Sequence, residues 1–263
     1  MPQRSNRERK KIGALQRAFD ILNLFDAQTK ELGNTDIARA VQLHPSTVAG
    51  LIHTLEVNGY LAQNPATRKY RLGLKLVERA AVALNHLDLR EIAQPYLRAL
   101  RDECNESVNL AIQDGAEVVY IEQLFGSHAL GIRSEIGKRA ALHSTALGKA
   151  ILAWRAPKPT QEFLKTYKLT AITPKTITRR DQFLRELTRT RAHGFALDDE
   201  ENEIGGRCIA APIFDARGAP IAAVSIAVPI QRFPDKVVPR LGARVRKVAH
   251  AISQQLGYAP KSF

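Results

Sequence analysis

Residues 34–61, NTDIARAVQLHPSTVAGLIHTLEVNGYL, decide the fold of the N-terminal part of the chain. Asn34 or Thr35 caps a short helix with Ile37, Ala38 and Val41 on its inner face, because a side-chain oxygen there takes up a free first-turn N–H. Gln42–His44 is a short turn. Pro45 suits the first position of the next helix, where its missing N–H is harmless. Val48, Leu51, Ile52 and Leu55 recur at helical spacing and form that helix's buried stripe. Gly59 stops it. Tyr60–Ala62 and Tyr70–Leu72 then read as two short strands around the polar stretch Gln63–Lys69. Upstream, Leu15, Ala18, Phe19, Leu22 and Phe25 give a first helix one apolar face. Three helices followed by a hairpin predict a winged helix-turn-helix.

Working outward, residues 1–11 (MPQRSNRERKK) form a polar, basic arm with nothing apolar to bury. It is either a solvated tail or a strand laid along phosphates or a minor groove. Residues 74–88 read as a linker helix, since LKLVERAAVALNH contains no breaker. A helix over Leu89–Cys104 opens a larger domain, 89–260. There Val108, Leu110 and Ile112 alternate with other residues, and Asp114-Gly115 turns the chain back through Val118 and Tyr120. Ser144 caps a helix running to Trp154, and Leu184–Ala192 is a helix closed by Gly194. Arg207–Phe214 and Pro220–Val228 are apolar strands joined by Asp215–Gly218. Val237–Leu256 is a basic helix. The expected fold class is α+β, with the winged helix-turn-helix over 12–73 and the second domain built around one antiparallel sheet.

Of the 263 residues, 39 are Lys or Arg and 26 Asp or Glu, a net charge of +13 that favours a polyanionic partner such as double-stranded DNA. Cys104 and Cys208 form neither a framework nor a CxxC pair, and no apolar run is long enough to span a bilayer. The expected location is the cytoplasm, with no membrane partner.

With Val48, Leu51, Ile52 and Leu55 facing inward, the third helix turns Ser46, Thr47, Ala49, Gly50 and His53 outward. That face is small and polar, as a helix seated in a major groove can be. Ser46 and Thr47 sit at the N-terminal end, where free N–H groups and the helix dipole favour phosphate. His44 and His53 offer hydrogen bonds to base or phosphate. On the hairpin, Arg68, Lys69 and Arg71 are suited to phosphate or the minor groove.

The stretch LHPSTVAGLIHTLEVNGYL with KYRLG resembles the DNA-binding domain of the IclR family of bacterial regulators. VNLAIQDGAEVVYIEQL, LHSTALGKAILA, DDEENEIGGRCIAAPIFD and AAVSIAVP are similar to that family's effector domain. The resemblance runs from about Gly13 to Gly257. It implies a winged helix-turn-helix, a dimerising linker helix and a GAF-like effector-binding domain. The implied protein is a homodimer or dimer of dimers that binds promoter DNA under small-molecule control. It places effector contacts on Ser144, Thr145, Ala146, Leu147, Asp198, Cys208, Ser225 and Ala227. Family members commonly carry a basic residue where this chain has Gly50. Glycine there marks either close backbone approach to DNA or one contact fewer. They often carry a second serine at Ala227, and smaller residues at Ala146 and Leu147. A carboxylic acid with an apolar or aromatic body is therefore the expected effector.

Other chemistries find little support in the residues. Gly131 to Gly137-Lys138 has the wrong spacing for a P-loop, and Arg139 stands where Ser or Thr should hold magnesium. His143, Ser144 and Asp198 lack a nucleophile elbow. His193, Cys208 and the acidic run Asp198–Glu201 match no standard metal spacing. Lys149 reads as a surface or structural lysine. No catalytic residue, metal or cofactor is expected.

Overall fold

Gly13–Leu22 forms α1, Asn34–Ala40 α2 and Pro45–Val57 α3. The hairpin follows as β1 (Leu61–Gln63) and β2 (Tyr70–Leu72), paired antiparallel with Leu61 opposite Leu72. Leu32 bridges to Tyr70, which ties the wing back to the helices. The core gathers Ile21 and Phe25 with Ile37, Ala38, Val48, Ile52 and Leu61. This is a computed structural model describing residues 12–26, 28–85 and 88–259. The expected basic arm, 1–11, lies outside the described residues, as do residues 86, 87 and 260.

Two sequence expectations are corrected here. The N-cap of α2 is Gly33, and Asn34 is the first helical residue; the Asp36 carboxylate accepts the Gly33 N–H. The α1 face that enters the core begins at Ile21. Leu15 and Phe19 stay half-exposed, at 52% and 50%, and with Ile12 they form an apolar stripe open to solvent. Helical periodicity identifies an apolar stripe but does not say which neighbour covers it.

The chain divides into two units, one ending at His86 and the other beginning at Leu87. The first also contains α4, Lys75–Asn85. In the second, α5 (Asp88–Cys104) leads into β3 (Ser107–Asp114) and β4 (Glu117–Leu124). After β5 (Arg139–Ala141) come α6 (Ala146–Trp154), α7 (Pro157–Thr166) and α8 (Arg180–His193). The chain returns as β6 (Ala196–Asp199), β7 (Gly206–Phe214) and β8 (Pro220–Pro229), and α9 (Val238–Gln255) follows. The strands form one antiparallel sheet in the order β5-β4-β3-β8-β7-β6.

Because side chains alternate along a strand, Ala223, Ser225 and Ala227 of β8 share one face. That face meets α6. Small residues let α6 sit close, and in its first turn Gly148 lies against the segment just after β5, where a Cβ would overlap the backbone of Leu142. Gly194 ends α8 in the left-handed conformation, φ 81°. Among the described residues no helix is long and apolar enough to cross a membrane.

Candidate nucleic-acid interface and effector cavity

On α3, Val48 and Ile52 are buried while Ser46, Thr47, Ala49, Gly50 and His53 are exposed. His44 is the N-cap of α3, with its Nδ1 accepting from the Ser46 N–H and lying 2.8 Å from Ser46 Oγ. The first turn therefore presents hydroxyls and an imidazole at one exposed, dipole-positive helix end, an arrangement suited to anions. A Cβ at Gly50 would meet nothing within 4 Å, so the fold itself does not require glycine there. Gly50→Ala is expected to stabilise the N-terminal unit by about 0.5–1 kcal/mol, read by denaturant unfolding; no gain would refute this. A tenfold or greater loss of DNA affinity in the same variant would select close backbone approach over a missing contact.

Arg68, Lys69 and Arg71 are exposed on the wing. The ion pairs of this unit are Asp36–Arg39, Lys75–Glu78 and Glu78–Arg79, so among the described residues the wing cations pair with no carboxylate. The wing tip is held from behind. Asn64 Oδ1 accepts the Ala66 N–H, and Glu31 accepts from Asn64 Nδ2 at 2.8 Å and Thr67 Oγ1 at 3.1 Å. Arg68 sits at φ 58°, left-handed backbone uncommon outside glycine.

In the second unit a cavity of about 40 Å³ lies between the N-terminus of α6, β8 and the chain around 132–138. Thr145, Ala146, Leu147, Asp198, Cys208, Ser225 and Ala227 line it. Ser144 stands behind them, its hydroxyl donating to Asn202 Oδ1 at 2.9 Å. Thr145, not Ser144, caps α6; its Oγ1 accepts the Gly148 N–H at 3.1 Å. Ala146 and Leu147, in the first turn, have N–H groups without a helical acceptor.

The opposite wall was not read from the sequence. It includes Tyr120, Arg133, Ser134, Lys138 and Glu203. Asn109 also lines the cavity and donates to Ser225 Oγ at 3.2 Å. Ser134 Oγ is buried with no partner among the described residues. About half of the polar side chains in the lining thus come from β3, β4 and the segment after β4, outside the motifs read from the sequence.

Asp198 is the electrostatic centre of the cavity. It is 2% exposed, and its Oδ1 accepts the Glu201 N–H at 2.7 Å and the Asn202 N–H at 3.2 Å. Burial raises its carboxyl to about 7, helped by the Glu201 charge and opposed by Lys149 and by those N–H bonds. Burial, then the Asp198 charge, pushes the Cys208 thiol well above its usual range. A carboxyl raised in the folded state stabilises the fold below its unfolded value, and that contribution is lost as pH rises through the folded one. Asp198 by itself should therefore make stability fall between about pH 4 and pH 7, against the opposite slope from His143, and Asp198→Asn, which keeps the accepting oxygen, should shift the slope upward. Unfolding free energies across that range measure this; an unchanged slope would exclude Asp198 as its source.

His143 faces elsewhere. Its ring nitrogens lie 3.0 Å from the Tyr167 hydroxyl and 2.9 Å from the Thr170 carbonyl, and burial lowers its pKa. With Ser144 bonded to Asn202, the three residues do not assemble a nucleophile and base. Among the described residues no group of His, Cys, Asp and Glu is placed to hold a metal.

An exposed helix-turn-helix and wing on one unit, with an enclosed polar cavity on the other, match a two-part family. Residues 14–65 match the IclR helix-turn-helix domain, and residues 81–254 match the bacterial transcriptional regulator IclR C-terminal domain. The chain belongs to the IclR family. This IclR-family protein is a DNA-binding transcriptional regulator with an effector-binding domain, and the family is one of regulators, not enzymes. It is 38% identical to the HTH-type transcriptional regulator XynR of Escherichia coli K12, over 94% of this chain and 98% of XynR. It is 35% identical to KdgR of the same organism, over 94% of each chain. The crystal structure of Thermotoga maritima IclR superposes with a TM-score of 0.82 at 33% identity, covering 94% of this chain and 100% of that one. An IclR homologue from Microbacterium hydrocarbonoxydans, solved with 4-hydroxybenzoate, gives a TM-score of 0.82 at 26% identity, covering 93% and 99%.

Proposed function

We propose that this regulator binds promoter DNA as a homodimer, or a dimer of dimers, and that a small hydroxylated carboxylate in the cavity controls it. The observation that carries the effector class is the cavity lining. Arg133, Lys138 and the free N–H groups of α6 suit a carboxylate, while Ser134 Oγ, Asn109 and Asn202 suit hydroxyls. A cavity of about 40 Å³ favours a small, polar molecule over an aromatic one. Protonated Asp198 adds a donor, so effector affinity should weaken as pH rises through about 7.

The open stripe Ile12, Leu15 and Phe19, together with exposed Leu74 and Val77 at the start of α4, is apolar surface that a second copy would cover. Phe19→Glu should shift the protein toward monomer in sedimentation equilibrium; an unaltered mass would place the interface elsewhere. Two recognition helices held by such a dimer would enter successive major grooves. An effector that prefers one arrangement of the dimer then shifts the spacing of the readers, and with it DNA affinity.

Pull-down of genomic fragments by purified protein at physiological salt, followed by sequencing, tests the reading. A few promoter fragments sharing an inverted repeat are expected. No enrichment, with or without added cell metabolites, would overturn it. Identical DNA affinity with and without a saturating ligand would remove control through affinity.

A further inference from the structure

Between α8, β6 and α9 lies a groove of about 320 Å³, far larger than the polar cavity and separate from it. Its size is within the range of small-molecule pockets, roughly 300–1,000 Å³. One wall is apolar, formed by Leu197 of β6 and Val238, Pro239 and Ala243 of α9. Beside it stand two cations, one on α8 and one on α9 itself. Arg189 and Arg246 both line the groove, and among the described residues neither forms an ion pair. Arg246 is steadied by donating to the His193 carbonyl at 3.1 Å, and the His193 ring stacks on Phe195 at 5.7 Å. The groove's one carboxylate, Glu186, lies 3.6 Å from the buried Lys149 ammonium, which leaves the guanidinium groups uncompensated. Thr190, also in the lining, has a buried hydroxyl with no partner among the described residues.

We propose that this groove is a second small-molecule site, for an organic anion with an aromatic or bulky apolar body. Two unpaired guanidinium groups and an apolar wall within one groove match the two halves of such a molecule, and the volume accommodates a small aromatic body. The site does not depend on the effector assigned to the polar cavity, whose lining and size suit a different ligand.

The test uses full-length protein and 1-anilinonaphthalene-8-sulfonate, with N-phenyl-1-naphthylamine as the same body without the charge. Trp154 is the chain's sole tryptophan, and it lines a hollow that adjoins the groove through Arg246. Excitation of Trp154 should therefore sensitise the bound dye, with saturation at one dye per chain. The sulfonate should bind at least about tenfold more tightly than the neutral amine. Arg189→Leu, an exposed residue, should cut that preference several-fold, with Arg246 holding the remainder. Ala243→Phe, which fills the groove from an exposed position, should weaken both dyes about tenfold or more. Lys138→Gln, in the polar cavity, should change neither. Binding lost in Lys138→Gln but kept in the groove variants would overturn the proposal, as would sensitised emission that none of the variants alters. Dye displaced as protein concentration rises, with Ala243→Phe blocking self-association, would give the groove to a second copy and would also overturn it.

Discussion

Lys149→Met is expected to lower the stability of the effector unit by about 3–5 kcal/mol, the effect of stranding one half of a buried ion pair. The Lys149 side chain is fully buried. Its ammonium donates to Glu201 Oε1 at 2.5 Å and to the Leu197 carbonyl, and lies 3.6 Å from Glu186. Removing it leaves two carboxylates facing each other and a carbonyl without its donor. Burial already raises Glu201, and Lys149 is the chief influence that lowers it. Without the lysine that carboxyl rises further, so the loss should be larger near pH 8 than near pH 5. Denaturant unfolding followed through Trp154, at the end of α6, reads the unit directly. The double replacement Lys149→Met/Glu201→Leu should recover part of the loss, because no buried charge is then left without its partner. A loss below about 1 kcal/mol in the single variant would mean that the carboxylates simply take up protons.

This lysine also marks where sequence reading stops. In ALGKAILAW it is one charge in an apolar helix, compatible with a surface position or a structural one. Only the fold brings Glu186 and Glu201 to it, from α8 and from the turn after β6. The helix-turn-helix was more legible because its information is local. Pro45 at the start of α3 and the Val48–Ile52 stripe lie within a few residues of one another, and the outward set Ser46, Thr47, Ala49, Gly50 and His53 follows by subtraction. The cavity was half legible. Residues quoted in the effector motifs, such as Asp198 and Ser225, do line it. Asn109 faces Ser225 only because β3 pairs with β8. Arg133, Ser134 and Lys138 lie in a segment with no periodicity to read.

DNA affinity should fall by a factor of about 10³–10⁵ between 50 and 200 mM salt if the proposed dimer neutralises roughly 6–10 phosphates. Each protomer offers Arg68, Lys69 and Arg71 on an exposed wing tip, unpaired with any carboxylate among the described residues. In the proposed dimer two wings would bring six cations, and each released counterion contributes about 0.9 to the slope of log affinity against log salt. Replacing all three by Gln should reduce that slope by up to about 5 while leaving the preferred sequence unchanged, because phosphate contacts position the reader without reading bases. His53→Ala should do the reverse. It should relax discrimination at one base pair, worth about 1–3 kcal/mol, with less effect on the slope. Titrations of one operator and its single-base variants across a salt series separate the two effects. A slope unmoved by the triple wing variant would mean that the phosphate contacts come from elsewhere in the chain, and a base preference unmoved by His53→Ala would take sequence reading away from that side chain.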